Sequence, residues 1–150
     1  MNFDRAIFKN IDAASLGIVI RYSNGEVMGA MSQHVPLPQT VMEVEALACR
    51  CAVSFAIELG LRELVIEGDS ALVIQAIKDG QPCQSFYGHI VDDILHLSAQ
   101  LQSFNFCHVK RNCNRVADAL AKKSWVGLDF QVWVEDLSGD ILPLAMLDVH

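Results

Sequence analysis

Apolar and polar residues alternate through the first part of the chain. The runs Ile18 to Ile20 and Val27 to Met31 flank Ser23-Asn24-Gly25, and Asn-Gly between two such runs is a strong hairpin signal. With a strand near Phe3 to Phe8 ahead of them, the pattern predicts a three-stranded antiparallel meander. Pro36 and Pro38 end it. The period then lengthens to that of a helix, with Val44, Leu47, Ala48, Cys51, Phe55 and Leu59 on one stripe and Gly60 as a stop. Thr40 and Glu43 have the spacing of a capping box at its start.

Beyond Gly60 the pattern predicts a strand over Glu63 to Glu67, then a helix from Asp69 or Ser70 to Lys78, closed by Asp79-Gly80. Gln81 to Ser85 reads as a loop. Ile90, Ile94, Leu97 and Leu101 repeat at helical spacing within "YGHIVDDILHLSAQLQ", Phe104 to Val109 alternates as a strand, and a last helix begins near Asn114. The order β-β-β-α-β-α-α-β-α puts the later strands after helical crossovers, which give parallel pairing. The expected architecture is α/β: a mixed five-stranded sheet, three antiparallel strands then two parallel, flanked by helices. It forms a single domain over 1–150, in which 126–150 is a C-terminal tail or short helix packing back.

Composition narrows this picture. A chain of 150 residues, 52% hydrophobic and 19% charged, buries roughly two thirds of its unfolded surface and needs neither disulfide nor metal to fold. No run approaches the ~20 apolar residues that span a bilayer, and "MNFDRAIFKN" resembles neither a secretory signal nor a transit peptide. The five cysteines, Cys49, Cys51, Cys83, Cys107 and Cys113, are odd in number and mostly sit in apolar patterns. They read as reduced thiols of a nuclear or cytoplasmic protein. Cys107, His108 and Cys113 lack the second paired motif that a zinc site requires. A net charge of −7 argues against binding nucleic acid through bulk positive charge, an objection that weakens if several acids share one cation-binding site.

Four carboxylates fall at element boundaries, and each has an ordinary structural explanation. Asp69, between a strand and a helix, could be an N-cap. Glu43 completes the capping box. Asp118 lies one turn into the last helix and gains from its N-terminal dipole, and Asp4 is a poor strand former near a terminus. Together they carry more meaning, because ligands of open α/β sheets bind beyond the carboxyl ends of the strands. Paired cations that promote phosphoryl displacement also need several hard oxygen ligands.

The stretches "NFDRAIF", "GIVIRYSNGEVMGAMS", "MEVEALACRCAVSFAIELG", "LVIEGDSALVIQAI" and "FCHVKRNCNRVADALAKKS", in that order, resemble the ribonuclease H-like superfamily, in particular the plant retroelement-derived ribonuclease H-like domains. The resemblance spans Met1 to about Trp125. It implies a Mg²⁺-dependent endonuclease that cuts the RNA strand of an RNA/DNA hybrid by a two-metal mechanism, with Asp4, Glu43, Asp69 and Asp118 holding two Mg²⁺ ions, or Mn²⁺ in their place. Of the two acids in "MEVEAL", the resemblance selects Glu43, three residues before Ala46, and leaves Glu45 pointing elsewhere. It also implies hybrid contacts from Gln39, Thr40, Ser70, Arg111 and Asn114, all but Arg111 having a structural explanation as loop or cap.

The chain departs from the family in three ways. Arg5 stands beside Asp4 where the family has glycine, and the loop "VKRNCN" before the last helix has no histidine. No basic, aromatic-rich extension is present to grip a hybrid. His108 reads as structural. Arg5, the missing loop histidine and the acidic surface support an alternative, a catalytically weak or inactive module that binds nucleic acid or protein. A first strand that starts almost at Met1 fits a domain trimmed from a longer chain.

Overall fold

The hydrophobic alternation of the first strands closes a sheet whose middle strand is covered on both sides. The computed structural model describes residues 1–8, 11–80, 87–123 and 130–134. Strands β1 (Asn2–Phe8), β2 (Ala13–Arg21) and β3 (Val27–Pro36) form the expected antiparallel meander, with Asp4 opposite Gly17 and Gly17 opposite Ser32. At the β2–β3 turn, Gly25 adopts a φ of 90° and the Glu26 N–H donates to Asn24 Oδ1 at 3.1 Å. A side-chain amide thus closes the turn. From Ala13 to Ile20 every residue of β2 is buried.

Helix α1 (Val41–Glu58) is followed by β4 (Glu63–Gly68), α2 (Ala71–Asp79), α3 (Gly88–Ser98), β5 (Ser103–His108) and α4 (Arg115–Lys123). Both β4 and β5 are parallel additions, Asn2 pairing with Glu67 and Gly68 with His108. The expected five strands become six. Phe130–Val134, placed in the tail by its weak periodicity, forms β6 antiparallel to β3, giving the order β5-β4-β1-β2-β3-β6. The "FQVWV" run is short and follows no turn signal, but it covers an edge that β3 would otherwise leave open. The rest of the 126–150 tail, the Gln81 to Ser85 loop and Cys83 lie outside the described residues.

Strand alternation divides the core in two. Phe3, Leu16, Ile18, Ile20, Leu64, Ile66 and Phe106 pack with α1, α2 and α3, whereas Val19 and Ala30 pack with Val116, Ala117 and Leu120 of α4. No described helix is long and apolar enough to cross a membrane.

The approach of α4 to β2 is close because Gly17 has no side chain. A Cβ there would overlap the Ala117 carbonyl oxygen and the Ala121 nitrogen. Two hydroxyls on the same face complete the contact: Ser15 donates to the Ala121 carbonyl, and Ser32 donates to the Leu120 carbonyl at 2.6 Å. Both carbonyls belong to the last turn of α4, where the helix offers them no internal partner. At the other end Asn114 donates to the Phe3 carbonyl at 2.9 Å and accepts from the Asn2 amide at 3.1 Å. The helix that carries Asp118 is therefore fixed at its start to β1, which carries Asp4, and at its end to β2 and β3.

Gly17→Ala is expected to cost about 1–3 kcal/mol or more, since rigid backbone rather than a mobile side chain must yield. Ser32→Ala is expected to cost about 1–3 kcal/mol through the carbonyl it leaves unpaired. Urea denaturation of both variants measures this, and a Gly17→Ala variant as stable as the parent would contradict the close approach.

Candidate active site

The candidate site lies where two parallel strands part. After the Asn2 and Glu67 pair, β4 ends at Gly68 while β1 runs on to Phe8. Gly68 is packed on the Phe3 ring, and a Cβ there would overlap three ring carbons. The next residue, Asp69, enters the gap from the end of β4, with Asp4 on β1 beside it. Glu45, from α1, completes the group. One carboxylate oxygen of each lies within 4.8 Å of the others, and no other group of three or more His, Cys, Asp or Glu among the described residues is placed to share an ion. Cys107, His108 and Cys113 do not form such a group. Cys49, Cys51, Cys107 and Cys113 are free thiols.

Glu45 corrects the expectation that Glu43 joins the acids. Thr40 is the N-cap of α1 and accepts a bond from the Glu43 N–H at 3.2 Å, while its hydroxyl donates to Glu43 Oε1 at 3.5 Å. That cap fixes where the helix begins. Glu43 stays over the first turn, and Glu45 falls in line with Cys49 and Ala52, which face the core. Only 2% of Glu45 is exposed. The signal in the sequence was the stripe Ala48, Cys49, Ala52 and Ala56, whose small side chains are buried, rather than the neighbouring Leu47 and Cys51, which remain half-buried.

The other positions divide clearly. Ser70, not Asp69, caps α2, accepting from the Val73 N–H at 3.5 Å, which leaves the Asp69 carboxylate for the gap. Asp118 stands outside the triad and pairs with Lys122 at 2.9 Å. With Asp4, Arg5, Arg111 and Lys122 it lines a groove of about 290 Å³. Arg111 is exposed, its Nε 3.8 Å from Asp69 Oδ2. Gln39 is exposed and Thr40 half-buried at the start of α1, and Ser70 is half-buried. Asn114 is 1% exposed and both ends of its amide are used within the protein. Within the fold it holds α4 to β1, which the expectation of a nucleic-acid contact did not include. His108 ends β5 with its side chain exposed.

Burial dominates the electrostatics. Desolvation, then the charges of Asp69 and Asp118, raise the Asp4 carboxyl to about 6 against the bond from the Arg5 N–H. Glu45 is pushed up to about 8 by burial and by Asp4, with Arg5 opposing. Arg5 Nε lies 3.2 Å from Glu45 Oε1, and Glu45 Oε2 and Asp69 Oδ2 are buried with no hydrogen-bond partner among the described residues. Buried acceptors without donors suit a cation. The set is all hard oxygen, as Mg²⁺ and Mn²⁺ prefer.

Residues 2–124 match the family model described as reverse transcriptase-like. The chain belongs to the reverse transcriptase-like family. Its ribonuclease H-like fold is shared by ribonuclease H1 from Halobacterium salinarum NRC-1, with a TM-score of 0.76 and 23% identity over 83% of this chain and 94% of that one. The N-terminal ribonuclease H domain of a Mycobacterium tuberculosis protein gives 0.71 and 22%, covering 81% and 88%. LC11 ribonuclease H1 in complex with an RNA/DNA hybrid gives 0.72 and 20%, covering 81% and 92%. No curated protein matches the chain.

For this family member the raised carboxyls set a pH dependence. Folded Asp4 and Glu45 hold their protons more tightly than the unfolded chain, where the values are 3.8 and 4.5. Their stabilising contribution is complete below those values and is lost as pH rises through about 6 and about 8. In EDTA, Tm is expected to fall across this window, and Glu45→Gln, neutral at every pH, is expected to flatten the upper part of the decline. A melting series over pH checks it, and a wild-type Tm that holds or rises would count against the burial of these charges.

Proposed function

We propose that this chain is a divalent-metal-dependent ribonuclease H that cleaves the RNA strand of an RNA/DNA hybrid. The observation that carries the reading is the convergence of Asp4, Glu45 and Asp69, with two buried carboxylate oxygens left without donors. It occurs in a fold shared with a ribonuclease H1 in complex with an RNA/DNA hybrid.

In this reading Asp4, Glu45 and Asp69 hold a Mg²⁺ or Mn²⁺ ion, and Asp118 is the acid available to a second. Bound ions supply the charge that activates water and stabilises the leaving 3′ oxygen. The chain's own part is positioning. Asp4 is fixed by its strand and by the Arg5 N–H, Asp69 by the end of β4, and Glu45 by the packing of the buried face of α1. Glu45 must lose its proton to take part. Arg111 and Lys122, on the groove beside the acids, present cations to a phosphate backbone. Gln39, Thr40 and Ser70 remain at the surface as candidate contacts to the 2′-hydroxyls that distinguish RNA.

The pairing of Arg5 with Glu45 favours a second reading, a binding module on the same fold without useful catalysis. One experiment separates them. Purified protein is expected to nick a labelled hybrid in Mg²⁺ or Mn²⁺, and Glu45→Gln and Asp69→Asn are each expected to lower the rate about 100-fold or more, a transition-state loss of about 2.7 kcal/mol. Glu43→Gln is expected to stay within a few-fold of wild type. Wild type and variants equally inert over a range of divalent ions would leave the binding module as the better account.

A further inference from the structure

Arg5 is the residue of the site whose chemistry the proposed function leaves unexplained. In β1 it alternates with Asp4, so its side chain leaves on the face of Phe3 and opposite Leu16, the side packed by α1. There it meets Glu45. The contact brings Nε to 3.2 Å from Glu45 Oε1 with the Glu45 side chain 3% exposed, yet Nε has no hydrogen-bond partner among the described residues. Nε thus sits against Glu45 Oε1 without an aligned hydrogen bond, so what acts between the two whenever Glu45 is ionised is charge. Charge is what a second cation at the same carboxylates would oppose, because like charges in a desolvated site repel strongly.

We propose that Arg5 is a resident cation that competes with the divalent ion for Glu45, so that loading the acidic triad and releasing Arg5 from Glu45 are one event. The inference rests on the metal-binding reading above and adds a residue that sets the affinity of the site. In the metal-free protein Arg5 offsets part of the repulsion among Asp4, Glu45 and Asp69. When the ion binds, the guanidinium is expelled from Glu45. The neighbouring charges that govern the exchange are Asp4 on the same strand, Asp69 and Glu45 across the gap, and Arg111 beside Asp69.

The test is calorimetric titration of MnCl₂ into the full chain at one fixed pH, for wild type, Arg5→Ala and Arg5→Gln. Both variants are expected to bind Mn²⁺ about tenfold more tightly than wild type, equivalent to 1.4 kcal/mol, and to melt at lower temperature than wild type in EDTA. A residue that merely braces the fold would lower Tm without tightening Mn²⁺. Arg5→Gln keeps most of the stem and covers the case in which Arg5→Ala fails to fold. In wild type, the Arg5 Nε–Hε NMR resonance is expected to shift on titration with MgCl₂, with the midpoint of the binding isotherm. Equal or weaker affinity in the variants, or an unmoved resonance, overturns the role of Arg5 while the metal site stands. No Mn²⁺ binding by any of the three proteins overturns both.

Discussion

Three carboxylates within 4.8 Å of one another, two of them on buried residues, are the constraint to which the rest of this fold answers. Taken out of water and set side by side, they repel, and burial penalises each charge separately. The raised Asp4 and Glu45 carboxyls are that cost expressed as retained protons. A cluster of this kind survives only if the scaffold gains elsewhere and allows no easier arrangement. Phe3, Ile18, Ile66 and Val44, on the elements that carry or adjoin the acids, are fully buried, so the backbone positions from which the acids project are held by the core.

The gap itself is a consequence of strand order. From β1 the meander grows in one direction through β2 and β3, while β4 and β5 are added on the other side. The parting of β1 and β4 is thus the point at which the winding reverses, where open α/β sheets place their ligands. Small residues make it usable. Gly68 lets β4 come up against Phe3 before it turns away, and Gly17 lets α4 settle against β2 opposite Asp4. Ser15 and Ser32 take carbonyls in the last turn of α4, so the helix ends on the sheet. Asp118 comes to the groove through these contacts, not through any preference of its own sequence.

The meander, the two parallel additions and the order of helices could be read from the chain because period and punctuation are local properties. Asp4 and Asp69 could be read too, each lying at a boundary marked by a change of period. Glu45 could not be found in the same way. Its selection depends on the rotation of α1, and the stripe marked by Leu47 and Cys51 pointed to a face turned from the one that small residues bring against the sheet. Asn114 presents the opposite case: a polar residue before a helix looks available for substrate, and only the tertiary structure shows that Phe3 and Asn2 already use its amide. β6 was missed because its pairing partner is β3, far back in the chain, and a five-residue run carries little pattern by itself.

A chain with net charge −7 is an unpromising ligand for nucleic acid if charge is counted over the whole molecule. At the groove the count is different. Arg5 faces Glu45, Arg111 faces Asp69 and Lys122 faces Asp118, so each cation near the acids is matched to one of them and Asp4 is left over. In this state each of these three cations already faces an acid, which weakens its pull on a phosphate backbone. A divalent ion taken up by Asp4, Glu45 and Asp69 would reverse that balance, supplying two charges and freeing the guanidinium groups of Arg5 and Arg111 from their present partners. On the proposed reading, attraction for the hybrid arises locally and only once the acids are occupied, so the overall acidity of the chain does not decide whether it binds.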